Sequence, residues 1–358
     1  MQKKRMKSFA IPLLLFAASL QLASSHPALA AQPAQIYKLT GSIKIGGEGG
    51  WDYLTLSPDG HTLYITRTTH TMVVDVATGQ ATADIRGTIV AHGVALVPDA
   101  GRGFISDGGA GSVVVFDLKT GAALGKVAAA DDADAIIYDP ASKRVLAFCG
   151  DAHQMVAIAP DVDLKSGKAS ATLDLGGKPE FAVADGRGKV YVNIVDKDEL
   201  AVIDTATMKV IARWPTGAGK RPTSLSMDPK TRRLFIGCRN GKLIVMNADN
   251  GSVIADFPIG QGVDGTAFSD GLIFASCFDG TLTVVREISA DKFELAQTVP
   301  TALGARTLTV DPTSGTVYLP TADLKANAPA TGAHQHPYSP VPGTFKVLVV
   351  TRTAAKNL

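Results

Sequence analysis

The chain is poor in cysteine, in surplus charge and in long apolar runs, and each shortage narrows what it can be. Three cysteines, Cys149, Cys238 and Cys277, form an odd and widely spaced set with no CxxC and no CxxCH. That excludes a disulfide framework and haem attachment. Lys and Arg total 35 against 33 acidic residues, and no basic run follows residue 7. A phosphate-tracking stripe is therefore missing, and no nucleic-acid partner is implied. Beyond Leu22 no stretch is apolar enough to span a bilayer. G-x-S-x-G and H-E-x-x-H do not occur. The run Gly260-Gln261-Gly262-Val263-Asp264-Gly265 fits G-x-G-x-x-G only in letters, because it opens a strand where a dinucleotide fingerprint opens a helix.

What is present is a globular composition, 46% hydrophobic and 19% charged over 358 residues. The start carries Lys3, Lys4, Arg5 and Lys7, then an apolar stretch from Phe9 to Leu22, then Ala28-Leu29-Ala30. A basic segment, an apolar segment and an A-x-A site in that order predict a secretion signal over residues 1–30 and a periplasmic or secreted mature protein. Pro12, Ser19 and Gln21 interrupt the apolar segment, which argues against a retained anchor.

From there the chain repeats. Turns at Ser57-Pro58-Asp59-Gly60, Val97-Pro98-Asp99, Asp139-Pro140, Asp185-Gly186, Asp228-Pro229, Ser269-Asp270 and Asp311-Pro312 recur about every 40 to 46 residues, the period of propeller blades. Short β-branched and aromatic runs flank each turn, and no helical period is sustained. The expected fold is all-β: a seven-bladed β-propeller of four-stranded blades over residues 31–350, followed by a polar tail, 351–358. The last unit lacks a fourth strand, so Tyr37 to Ile45 is expected to pair onto it and seal the ring.

Tyr191-Val192-Asn193 and the run Leu200-Ala201-Val202-Ile203-Asp204-Thr205-Ala206-Thr207 resemble the YVTN-type repeat of bacterial β-propellers. Weaker echoes stand at Tyr64-Ile65-Thr66 and Val73-Val74-Asp75-Val76-Ala77-Thr78-Gly79. The resemblance implies the propeller over the whole mature chain. It does not select an activity, since the family spans binding proteins, surface proteins and partners of periplasmic redox enzymes.

Chemistry is expected at the channel mouth. Five residues before each turn stand Asp52, His92, Asp134, Glu180, Thr223, Asp264 and Arg306, six of them ionisable. The hairpins opening at the same mouth add Arg67, His153 and several acids, and a swollen loop at 322–342 carries His334, His336 and Tyr338. His92, Asp134 and Glu180 are candidate ligands for a divalent metal, or, with His153, acid–base groups. Asp52, Arg67, Arg221, Asp264, Arg306, His334, His336 and Tyr338 are candidates for holding a ligand, the arginines through a carboxylate or phosphate. Structural readings stand beside these: solvated polar channel residues, and Arg221 and Arg306 paired with Asp264 and Asp52 in a salt-bridged rim. The cysteines share one repeat position and read as small buried side chains.

Two functions fit. One is a monomeric enzyme, a hydrolase, lyase or isomerase acting on a small anionic or oxygen-rich molecule. The other is a binding or scaffold propeller that partners a periplasmic oxidoreductase.

Overall fold

The computed structural model describes Gln2, residues 35–327 and residues 337–353. The expected signal over 1–30, together with His334 and His336, lies outside the described residues.

Local turn chemistry cuts the chain into strands. Asp139 accepts the N–H groups of Ala141 and Ser142, Asp185 those of Arg187 and Lys189, Asp228 that of Lys230 and Asp311 that of Thr313. Each carboxylate thus closes its own turn between an inner strand and the next. Further out, Asp75, Asp117 and Asp204 each accept both the N–H and the hydroxyl of a threonine three residues on, which turns the third strand into the fourth.

The product is an all-β propeller of six sheets, five of four strands and one of six. Innermost to outermost, one four-stranded sheet runs Ala133–Asp139, Arg144–Cys149, Gln154–Ile158, Ala171–Asp174. Two others begin at Pro179–Ala184 and Pro222–Asp228 and a fourth at Val263–Ser269. The only helical turn among the described residues is Pro98–Ala100, and no described helix is long and apolar enough to cross a membrane.

Where seven four-stranded units were expected, six sheets form, because Leu54–Leu56 through Ala123–Ala128 join in one. Elsewhere the inner hairpin carries Gly or acidic residues, as at Gly108-Gly109-Ala110-Gly111. Here the link is Arg67-Thr68-Thr69-His70, with Thr68 at φ +53°, and Thr62–Asp75 continues across it. The following strand, Ala81–Val97, pairs outward with Thr62–Asp75 and inward with Arg102–Asp107.

Apolar layers lie between neighbouring sheets. In one, Phe104, Val113 and Val115 meet Val145, Ala147 and Val156, all fully buried or nearly so. Burying each larger side chain is worth roughly 1.5–3 kcal/mol, which makes these layers the chief cohesive element. Tyr37–Lys44 pairs antiparallel with Lys346–Arg352, and Tyr37 is fully buried. Its hydroxyl donates to Gly315 O at 2.9 Å and accepts from Arg352 Nε at 3.0 Å. The strand Lys346–Arg352 extends to Arg352, two residues into the segment expected as tail. All three cysteines are free and buried, and burial pushes their thiols up to about 11 for Cys149 and about 12 for Cys238 and Cys277.

Candidate functional site

The side chains at the channel mouth are held by stitches between units. Asp134, Glu180, Thr223 and Asp264 are each the second residue of an inner strand. At this level a hydroxyl of one unit donates to a main-chain carbonyl of the next. Thr66 Oγ1 donates to His92 O at 2.8 Å, Thr307 Oγ1 to Asp52 O at 2.8 Å and Thr223 Oγ1 to Val263 O at 2.9 Å. Ser106 and Ser276 do the same to Asp134 O and Arg306 O. Backbone positions fixed this way give the ring side chains little freedom to drift.

Those side chains form one alternating chain of charge. His92 Nδ1 lies 2.7 Å from Asp52 Oδ2 and 3.5 Å from Asp134 Oδ1. Asp52 Oδ1 is 3.7 Å from Arg306 Nη2, Arg306 Nε is 2.8 Å from Asp264 Oδ2, and Asp264 Oδ1 is 3.6 Å from Arg239 Nη2. The order is carboxyl, imidazole, carboxylate, guanidinium, carboxylate, guanidinium. Burial disfavours a charged His92, but the Asp52 hydrogen bond and the fields of Asp134 and Asp52 outweigh it and hold its pKa at about 9. Burial drives Asp134 well above the usual carboxylate range although His92 opposes the shift, and drives Asp264 up against the opposing Arg306.

Glu180 stands apart. It has no hydrogen bond or ion pair among the described residues, and burial, then the field of Asp264, raises it to about 7 against Arg239 and Lys178. Beneath the ring, Tyr53 and Phe181 meet across the channel edge to face, with ring centroids 5.0 Å apart. Burial first, then Asp134, Asp264, Asp52 and Glu180, push the Tyr53 hydroxyl well up. The two rings narrow the channel, and a cavity of about 60 Å³ lies among Tyr53, Phe181 and the inner strands.

The larger space is off-centre, about 620 Å³. Its charged lining is Arg239, Arg306 and Asp264, and its apolar walls include Trp51, Phe278, Leu324 and Tyr338. Tyr338 comes from the short hairpin Leu324–Ala326 with Tyr338–Pro340, inside the expected insert loop, and its ring lies 5.8 Å from that of Phe278. The indole Nε1 of Trp51 is buried without a hydrogen-bond partner among the described residues. Gly304 closes this corner at φ +86°. A Cβ there would stand 2.9 Å from Leu324 Cδ1 and 3.3 Å from Trp51 Cζ2.

Asp52, His92, Asp134, Asp264 and Arg306 are thus brought together, and Tyr338 lines the adjoining cavity. Glu180 shares the mouth but not the close group: the trio whose ligand atoms lie within 4.8 Å of one another is Asp52, His92 and Asp134. Of the metal set expected from the sequence, His92 and Asp134 belong to this trio and Glu180 does not. Arg67 is not at the mouth's surface. It is 1% exposed, stacks 3.7 Å over Phe345, and donates to the carbonyls of Gly46, Glu48, Gly49 and Gly50 and to Met72 Sδ. With every N–H engaged, it clamps the loop leading to Trp51 instead of meeting a ligand. Arg221 is exposed, and its backbone N–H donates to Asp198. His153 is exposed in a hairpin turn at φ +56°. The hairpin acids Asp107, Asp196, Asp198 and Asp279 cap backbone N–H groups of linkers.

Sequence reasoning did not single out Trp51, Tyr53, Phe181, Phe278 or Arg239. A signal existed for two of them. The position after each ring residue reads Tyr53, Gly93, Ala135, Phe181, Ser224, Gly265, Thr307, two aromatics among small residues. No protein-family model matches the chain, and no curated protein matches it either.

Proposed function

We propose that this propeller binds a small organic anion in the 620 Å³ cavity at its mouth, with Arg239 and Arg306 holding the anionic group. One observation carries the reading. Both guanidinium groups line the cavity, yet Asp264 and Asp52 engage only part of each, and Arg306 Nη1 and Arg239 Nε and Nη1 have no partner among the described residues. Two cations against one lining carboxylate favour a carboxylate or phosphate, and the volume suits a small-molecule site. Calorimetry on the mature protein with acetate, succinate and benzoate, against benzamidine and benzyl alcohol, tests it. Carboxylates should bind in preference, and Arg239→Gln or Arg306→Gln should weaken them at least tenfold. Equal binding of the cationic and neutral probes would overturn the reading.

A second reading has its own support. Asp52, His92 and Asp134 are close enough to ligate a divalent cation, which would have to displace the proton that His92 holds with a pKa of about 9. Titration with zinc at pH 7 should then release protons and be lost in His92→Gln. Absence of both effects eliminates it.

The same proposal includes the finer architecture. Seven units, with the six-stranded sheet standing for two, are supported by seven apolar layers among the described residues. Closure by the N-terminal strand is supported by the pairing of Tyr37–Lys44 with Lys346–Arg352. Membership of the YVTN-type repeat family rests on Tyr191-Val192-Asn193 and its echoes, and export rests on residues 1–30. Mass spectrometry of protein recovered from the periplasm, showing an N-terminus near residue 31, checks the last.

A further inference from the structure

We infer that the anion held at this mouth is the carboxylate of a planar aromatic or heteroaromatic acid bearing a second hydrogen-bond acceptor, which Trp51 Nε1 receives. The inference rests on the anion-binding reading above and adds to it the nature of the rest of the ligand.

Three observations converge. The walls away from the arginines are aromatic and apolar: Trp51, Phe278 and Tyr338, with Leu324 beside them. Phe278 and Tyr338 are tilted at 42° to one another, the kind of arrangement in which a third ring finds a face or an edge. Trp51 is itself set by its contact with Phe345, ring centroids 5.7 Å apart, and Phe345 is backed by the Arg67 guanidinium. The aromatic wall is therefore supported from behind by packing.

Second, the indole N–H has no acceptor among the described residues. Its nitrogen is buried and unpartnered while its residue lines the cavity. A buried donor without an acceptor is unfavourable, and an acceptor arriving with the ligand would satisfy it.

Third, two glycines keep the space narrow and clear. Gly262 and Gly304 both line the cavity and both have positive φ, +72° and +86°. A Cβ on Gly262 would come within 2.8 Å of Phe278 Cβ, and one on Gly304 within 2.9 Å of Leu324 Cδ1. Side chains at either position would press into the walls a flat ligand is to lie against.

The test is calorimetric titration of the mature protein with cyclohexanecarboxylate, benzoate and the three pyridinecarboxylates. Benzoate should bind at least tenfold tighter than cyclohexanecarboxylate. One or more pyridinecarboxylates should exceed benzoate by about fivefold to tenfold, the worth of one hydrogen bond to a buried donor. Trp51→Phe should abolish that excess and bring the pyridinecarboxylates level with benzoate. Should Trp51→Phe fold poorly, the two indole N–H resonances of the unmodified protein, from Trp51 and Trp214, provide a second readout. The pyridinecarboxylate should shift one of them downfield, and benzoate should not. Equal affinity for the aliphatic and aromatic acids, both lost in Arg306→Gln, overturns this inference and leaves the anion site standing. Absence of binding by every carboxylate overturns both.

Discussion

Glu180→Gln should make the protein more stable above pH 7 and leave it unchanged near pH 4.5. Glu180 has an ordinary pKa of 4.5 and is raised to about 7 in the fold, by burial first and then by Asp264. Between those values the folded state binds the proton that the unfolded chain has released, so stability falls as pH rises through that window and the full cost is present above about pH 8. A difference of about 2.5 units corresponds to about 3 kcal/mol, an upper bound because Glu180 is only partly shielded from water. Gln keeps the shape of the protonated acid and cannot ionise. Asp134 and Asp264 are raised by burial in both proteins, so the difference between the two isolates Glu180, apart from the relief its charge loss gives Asp134. Urea denaturation at pH 5, 6, 7 and 8.5 reads the gap directly. It should be no more than about 1 kcal/mol at the first value and reach up to about 3 kcal/mol at the last, a large part of the usual stability of a folded domain. A gap that stays constant with pH, or a variant less stable at pH 8.5, would refute the reasoning. It would mean that Lys178 and Arg239 compensate the Glu180 charge more fully than burial penalises it.

His92→Gln should show a complementary profile. The folded pKa of about 9 lies above the ordinary 6.5, so its contribution, about 3 kcal/mol, is complete below pH 6.5 and lost as pH passes 9. Denaturation at pH 6 and pH 10 should show the variant weakened at the first and close to the parent at the second. Arg67→Lys should cost about 2–4 kcal/mol in urea denaturation, because an ammonium cannot span the carbonyls of Gly46, Glu48, Gly49 and Gly50 and leaves buried acceptors unpaired. A loss under 1 kcal/mol would show that the loop does not depend on the clamp. A thiol-reactive dye should label none of Cys149, Cys238 and Cys277 in the native protein and all three in urea, since each is fully buried with its thiol pushed upward.

What could be read from the chain and what could not divides along a physical line. The repeat was legible because its turns are built by residues acting on their immediate neighbours. Asp139, Asp185 and Asp311 each hold N–H groups within four positions, so type and spacing alone reveal them. The joining of these strands into one six-stranded sheet was not legible at the same level, since it depends on Ala81–Val97 running as one strand that pairs with both Thr62–Asp75 and Arg102–Asp107. Ring membership followed from counting, most directly for Asp134, Glu180, Thr223 and Asp264, each second in an inner strand. Partnership within the ring did not. Counting placed His92 with Asp134 and Glu180, whereas His92 lies between Asp52 and Asp134, and Asp52 enters from a unit joined to that of His92 through an unbroken strand. Arg67 makes the limit plainest. Its repeat position put it at the mouth, yet the carbonyls of a glycine-rich loop on its own unit draw it inward. A guanidinium goes where acceptors converge, and such convergence is a property of the folded backbone that residue spacing does not encode. The Trp51 indole poses the converse case, a donor without an acceptor among the described residues. Local chemistry therefore sets the frame of this propeller, and the buried Trp51 donor beside the mouth is where we propose that a ligand completes it.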